Sequence, residues 1–149
     1  MGYHMRYIVD EEKEINLDLI ETALIRVDPK YNLAAKDVEK EHAELMLGDD
    51  LFGELEINRR GSELMDEELE ELLEAIEDAE GDGVERVQRL LRNARFTVAL
   101  RVLWQGRDSE TTLEKIDPLW EWLFSEYQGL LQADGEGYYD ADGQILEVE

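Results

Sequence analysis

Only His4 and His42 offer an imidazole for general base work near neutral pH, and the chain contains no cysteine. His4 falls in an opening Met1-Gly2-Tyr3-His4 that reads as an expression-vector remnant ahead of a native start at Met5. His42 begins an expected strand and has no local serine partner of triad type, so it reads as a surface or strand-edge residue. Without cysteine there are no disulfides, no thiolate nucleophiles and no Cys-based zinc or iron-sulfur sites. Carboxylates can carry acid-base chemistry without histidine, but with 39 acids chance pairs are inevitable. Two stand in settings apolar enough to raise a pKa: Asp117, ahead of a tryptophan-rich segment, and Asp140, beside Tyr138 and Tyr139. No GxGxxG loop and no GxxxxGK followed by Ser or Thr occurs, which argues against Rossmann and P-loop nucleotide chemistry.

The densest set of hard oxygen ligands is Asp134, Glu136, Asp140 and Asp142, suited to Ca²⁺ or Mg²⁺. On a calcium-loop template Asp140 and Asp142 take positions three and five, Gly143 the required glycine, Ile145 the apolar position and Glu149 the closing acid. Position one is then Tyr138, and no exiting helix can follow. A hairpin whose turn needs Asp and Gly for backbone reasons explains the same residues more simply.

Arg86, Arg89, Arg92, Arg95, Arg101 and Arg107 fill a segment free of Asp and Glu in an otherwise acidic chain. Arginine favours bidentate recognition of carboxylate or phosphate, so Arg86, Arg89 and Arg92 are candidates for a partner-docking or small-anion site. The competing reading is structural: favourable placement near a helix C-terminus and pairing with the acidic helix upstream. Trp122 falls about 60° outside the apolar stripe that holds Trp120, at 100° per residue. It is the candidate interface aromatic, unless the final hairpin covers it.

These residues are carried by one domain, the default for 149 residues. With 43% hydrophobic and 36% charged residues there is enough apolar material for a core beneath a heavily charged surface. No apolar run approaches the roughly 20 residues that span a bilayer, and no signal-peptide layout opens the chain. The formal net charge of −24 repels phosphate backbones and anionic lipids, which disfavours nucleic-acid and membrane binding. A cytoplasmic protein is expected.

Arg6 to Val9 reads as a first strand, and Leu17, Ile20, Leu24 and Val27 as one side of a helix capped by Asn16 and stopped before Asp28-Pro29. Tyr31 to Glu41 reads as a connection. His42 to Leu47 and Leu51 to Asn58 form a hairpin across Gly48-Asp49-Asp50. A strong helix spans Met65 to Ala79, with acids at its N-terminus, and a shorter one runs from Val84 to about Asn93. Phe96 to Trp104 is the best strand, Ser109 to Tyr127 is helical with a break at Asp117-Pro118, and a terminal hairpin turns at Ala141-Asp142-Gly143.

The order strand, helix, strand, strand, helix, strand predicts an α+β fold of ferredoxin-like layout over residues 5–107, with helices on one face of the sheet. Residues 108–149 add a helix and a β-hairpin. No cofactor is implied. The charge, with no catalytic set, predicts a non-catalytic protein that presents its acidic surface to a basic protein partner, as an inhibitor or charge mimic. The alternatives are a divalent-cation or small-anion binding domain and a carboxylate-dependent enzyme. Exposed sheet surface or Trp122 could also support a homodimer.

Overall fold

The computed structural model describes residues 2–148. Met1, in the expected remnant, and Glu149, the closing acid of the calcium-loop template, lie outside the described residues. The elements in order are β1 (Tyr3–Val9), α1 (Leu17–Val27), β2 (Tyr31–Asp37), β3 (His42–Leu47), β4 (Asp50–Arg59), α2 (Glu63–Ala75), α3 (Asp82–Asn93), β5 (Phe96–Val102), α4 (Ser109–Glu126), β6 (Gly129–Ala133), β7 (Gly137–Asp140) and β8 (Gly143–Glu147). The fold is α+β, as expected.

All eight strands form one sheet in the order β2-β3-β4-β5-β1-β6-β7-β8, every neighbouring pair antiparallel. This is not the sheet order of a ferredoxin-like unit. Tyr31–Asp37, expected as a connection, is a strand, so the chain runs strand, helix and then a three-stranded meander. β1 lies between β5 and β6, and β6 to β8 therefore continue the same sheet. Tyr3 and His4 belong to β1, opposite Val102 and Arg101 of β5.

Helices cover both faces, not one. Alternation along β1 sends Met5, Tyr7 and Val9 to one face, where they pack with Leu17, Ile20 and Leu24 of α1 and Ile116, Leu119, Trp120 and Leu123 of α4. Ile8 points the other way, to Met65 and Leu69 of α2 and Val87, Leu90 and Leu91 of α3. A sheet buried on both sides needs apolar residues at consecutive positions, and β5 supplies them: Phe96 to Leu100 are all buried.

Local chemistry sets the helix ends. Asn16 caps α1 as predicted, its side chain accepting the Leu19 N–H at 2.8 Å. Ser62 caps α2 through the Met65 N–H. α4 starts at the Asp108 cap and continues through Pro118, so Asp117 opens no new helix. Proline there removes one intrahelical bond without ending the helix, because Leu119, Trp120 and Leu123 on the next turns are buried against the sheet.

Candidate functional site

Between α2 and the sheet, the second face carries polar side chains where a core would be apolar. Alternation places His4 and Arg6 of β1 on the same side as Ile8. The cross-strand register then aligns Arg6 with Ala99, Glu56 and His42, and His4 with Arg101, Glu54 and Glu44. Arg6 donates through Nη1 to Gln132 Oε1 at 2.7 Å and Asp134 Oδ1 at 2.8 Å, and its Nε lies 3.0 Å from Glu68 Oε1. Burial pushes the Glu68 carboxyl up, further than Arg6 pulls it down. Burial acts the same way on Asp134, but hydrogen bonds from Arg6 and Gln132 outweigh it and hold that carboxyl below its ordinary range. The hydroxyls of Thr97 and Tyr138, on this same face, are buried without a hydrogen-bond partner.

Both histidines reach a small cavity of about 80 Å³ over Ala99, bordered by Glu54, Glu56 and Arg101. His42 Nε2 is 3.8 Å from Glu54 Oε2, and His4 Nδ1 is 3.7 Å from Asp134 Oδ2. Arg101 pairs with Glu54 across the strands. Among the described residues no group of three or more His, Asp or Glu side chains is arranged to hold a metal ion.

The four acids of the C-terminal segment take different partners. Asp134 belongs to the Arg6 seam, whereas Glu136 accepts hydrogen bonds from the Tyr3 and Tyr139 hydroxyls. Asp140 pairs with Arg86 at 3.0 Å and accepts the backbone N–H groups of Asp142 and Gly143. The Asp142 N–H and then Arg86 hold the Asp140 carboxyl below its ordinary range, opposite to the rise expected beside two tyrosines. Asp142 is exposed at the turn. Asp117 does shift upward, through burial and the nearby Glu121 and Glu114.

The arginine segment also divides. Arg107 donates to the Leu51 and Leu103 carbonyls and lies 4.0 Å from the Phe52 ring centroid, a structural role. Arg89, Arg92 and Arg95 are exposed, with no ion pair among the described residues, and none of them pairs with α2. Arg89 joins Arg86, Asp10 and Gln128 around a shallow cavity of about 320 Å³. Arg92 faces Asp66 and Glu70 across another groove. Trp122 sits on α4, behind the opposite face of the sheet from these arginines. It is half-buried, its ring meeting Tyr127 edge-on at 5.6 Å, and it lines a cleft with Lys13, Leu19 and Arg26 rather than lying under the hairpin.

What reasoning from single residues missed is the acidic stretch on α2 as a surface. Residues 61–85 contain twelve acids and no Lys, Arg or His. Among the described residues Glu68 alone of these makes an ion pair, while Glu63, Glu67, Glu70, Glu71, Glu74 and Glu77 are exposed. Leu64 stands among them, 54% exposed. The signal was legible as a run lacking any basic residue. Among the described residues no helix is long and apolar enough to cross a membrane. No protein-family model matches the chain, and comparison with curated proteins and with solved structures finds no match.

Proposed function

We propose that this protein is a non-catalytic interaction module whose α2 surface docks a basic protein partner, as an inhibitor or as a mimic of nucleic-acid charge. One observation carries the reading: the solvent side of α2 and the turn after it hold uncompensated acids, with a single exposed leucine among them. Like charges three and four residues apart on a helix repel one another, so this arrangement costs stability while the helix is free. A basic partner removes that cost on binding, and the field of a −24 protein accelerates the encounter. Leu64 supplies the apolar contact around which such charges form a rim.

The test is affinity capture with the wild-type chain beside a Glu67→Lys, Glu71→Lys, Glu74→Lys variant, followed by kinetics on the purified partner. The expected result is a basic protein retained by the wild type and lost by the variant, with an association rate that falls steeply as salt rises. A partner held equally by both proteins places the docking surface elsewhere and defeats the α2 reading.

A further inference from the structure

On the opposite face from α2, α4 and the C-terminal hairpin do not close over the sheet. An open cleft of about 430 Å³ remains between them, within the size range of small-ligand sites. Met5 and Leu131 form its sheet side, and four aromatic rings surround it: Trp120 and Phe124 from α4, Tyr3 from β1 and Tyr139 from β7. Every charged residue that lines it is an acid; no Lys, Arg or His does.

These acids are not equally committed. Glu136 is taken by the Tyr3 and Tyr139 hydroxyls, and Asp140 by Arg86. Asp117 and Glu121 on α4 and Asp142 on the turn have no ion pair among the described residues. Asp117 also feels the neighbouring Glu121, and its carboxyl lies above the ordinary range, as expected where burial and like charge meet without a cation. Trp120, 3% exposed, carries a buried indole N–H with no acceptor among the described residues.

Aromatic faces present negative electrostatic potential, and unpaired carboxylates beside them select against anions. Apolar walls add affinity for a hydrocarbon body but give a fully hydrated inorganic cation no compensation for lost water. We propose that this cleft binds an organic cation: an ammonium or guanidinium group on an aliphatic or aromatic body, its charge between Asp117 and Glu121 and its body against Trp120 and Phe124. The inference does not depend on the α2 surface. The same chemistry is offered by a free amine and by a lysine or arginine side chain of another protein, and the experiment separates the two.

The probes for calorimetric titration of the full chain are phenethylamine, agmatine, neutral 2-phenylethanol, anionic phenylacetate, and an acetylated, amidated tripeptide with a central lysine. The expected result is that a cationic probe binds at least about tenfold more tightly than phenylethanol, with phenylacetate weakest. An Asp117→Asn, Glu121→Gln variant loses roughly tenfold in affinity for the cation and keeps its affinity for phenylethanol. Both substitutions preserve shape, and an unchanged melting curve confirms that the loss is local. Binding of the free amines alone assigns a small-molecule site, and binding of the tripeptide assigns a site for a basic side chain. Equal binding of phenethylamine and phenylethanol, cation binding unchanged in the variant, or no binding of any cationic probe overturns the proposal.

Discussion

Arg6 and Glu68 meet 3.0 Å apart between β1 and α2, and the partnership is unequal: Arg6 also holds Gln132 and Asp134, whereas Glu68 has Arg6 alone among the described residues. Removing either side of the pair therefore has a different consequence. Arg6→Met strands a carboxylate in a poorly hydrated seam and is expected to cost about 3 kcal/mol or more. Glu68→Gln leaves Arg6 with two partners and is expected to stay within about 1 kcal/mol of the wild type. Urea unfolding of the two variants at neutral pH checks this, and equal losses would contradict the geometry.

The same carboxyl makes a pH prediction. Burial raises the Glu68 pKa in the folded state above its unfolded value, against the pull of Arg6. A raised folded pKa means that the folded chain holds the proton more tightly. Its stabilising contribution is complete below the unfolded carboxyl pKa and is lost as pH rises through the folded one. Relative to Glu68→Gln, the wild type should weaken as pH goes from mildly acidic toward neutral. Taking the difference between the two unfolding free energies at each pH cancels the background from the other acids. A pH-independent difference would rule the shift out.

Charge reversal on α2 should separate stability from binding. Glu71 stands four residues after Glu67, four after which a lysine forms the favourable helical pair. Glu71→Lys is expected to stabilise the chain by about 0.5–1 kcal/mol at low ionic strength, with the gain shrinking as salt is added. Thermal melts across a salt series measure it. A substitution that improves the free protein while weakening capture of a basic partner is the behaviour expected of a surface retained for binding.

Gly129 is fixed by a close approach of backbones. A Cβ there would lie 2.1 Å from the Ile8 carbonyl oxygen, within the β1–β6 ladder. Gly129→Ala must push the two strands apart and is expected to cost about 3 kcal/mol or more. Hydrogen exchange should show lost protection from β6 through β8 while the β2–β4 meander keeps its own. Uniform loss across the whole sheet would show that β6 is not a separable part of it.

Helix positions were readable from sequence because their signals are local: the stripe on α1, the cap at Asn16 and the stop before Pro29 each involve neighbours along the chain. Strand identity was less so. β2 is obscured by an irregularity between Ala34 and Asp37, where Ala35 has φ 51° and the alternation begun by Tyr31 and Leu33 breaks. β6 has buried neighbours on both faces, so Leu130 and Leu131 show no alternation. Pairing was readable only where the partners are neighbours, in the β3–β4 and β7–β8 hairpins, since nothing near β1 in sequence announces that its partners begin at Phe96 and Gly129. Asp117 and Asp140 were singled out as acids in apolar settings, and both border the same cleft. Asp140 moved the other way because the backbone N–H of Asp142 in the turn, and then a distant arginine, Arg86, stabilise its carboxylate.

The central position of β1 has a kinetic consequence. β1 precedes its partners by about 90 and 120 residues, and both its edges stay open until β5 and then β6 emerge. The β2–β4 meander can form early from near neighbours, but the two hydrophobic layers cannot be joined before β5 bridges β4 to β1. Such non-local closure slows folding and leaves an apolar strand, Tyr7 to Val9, exposed to mispairing in the meantime. Acids already outnumber bases 27 to 12 over residues 1–95, and mutual repulsion between such waiting chains would keep them from aggregating until the sheet is complete.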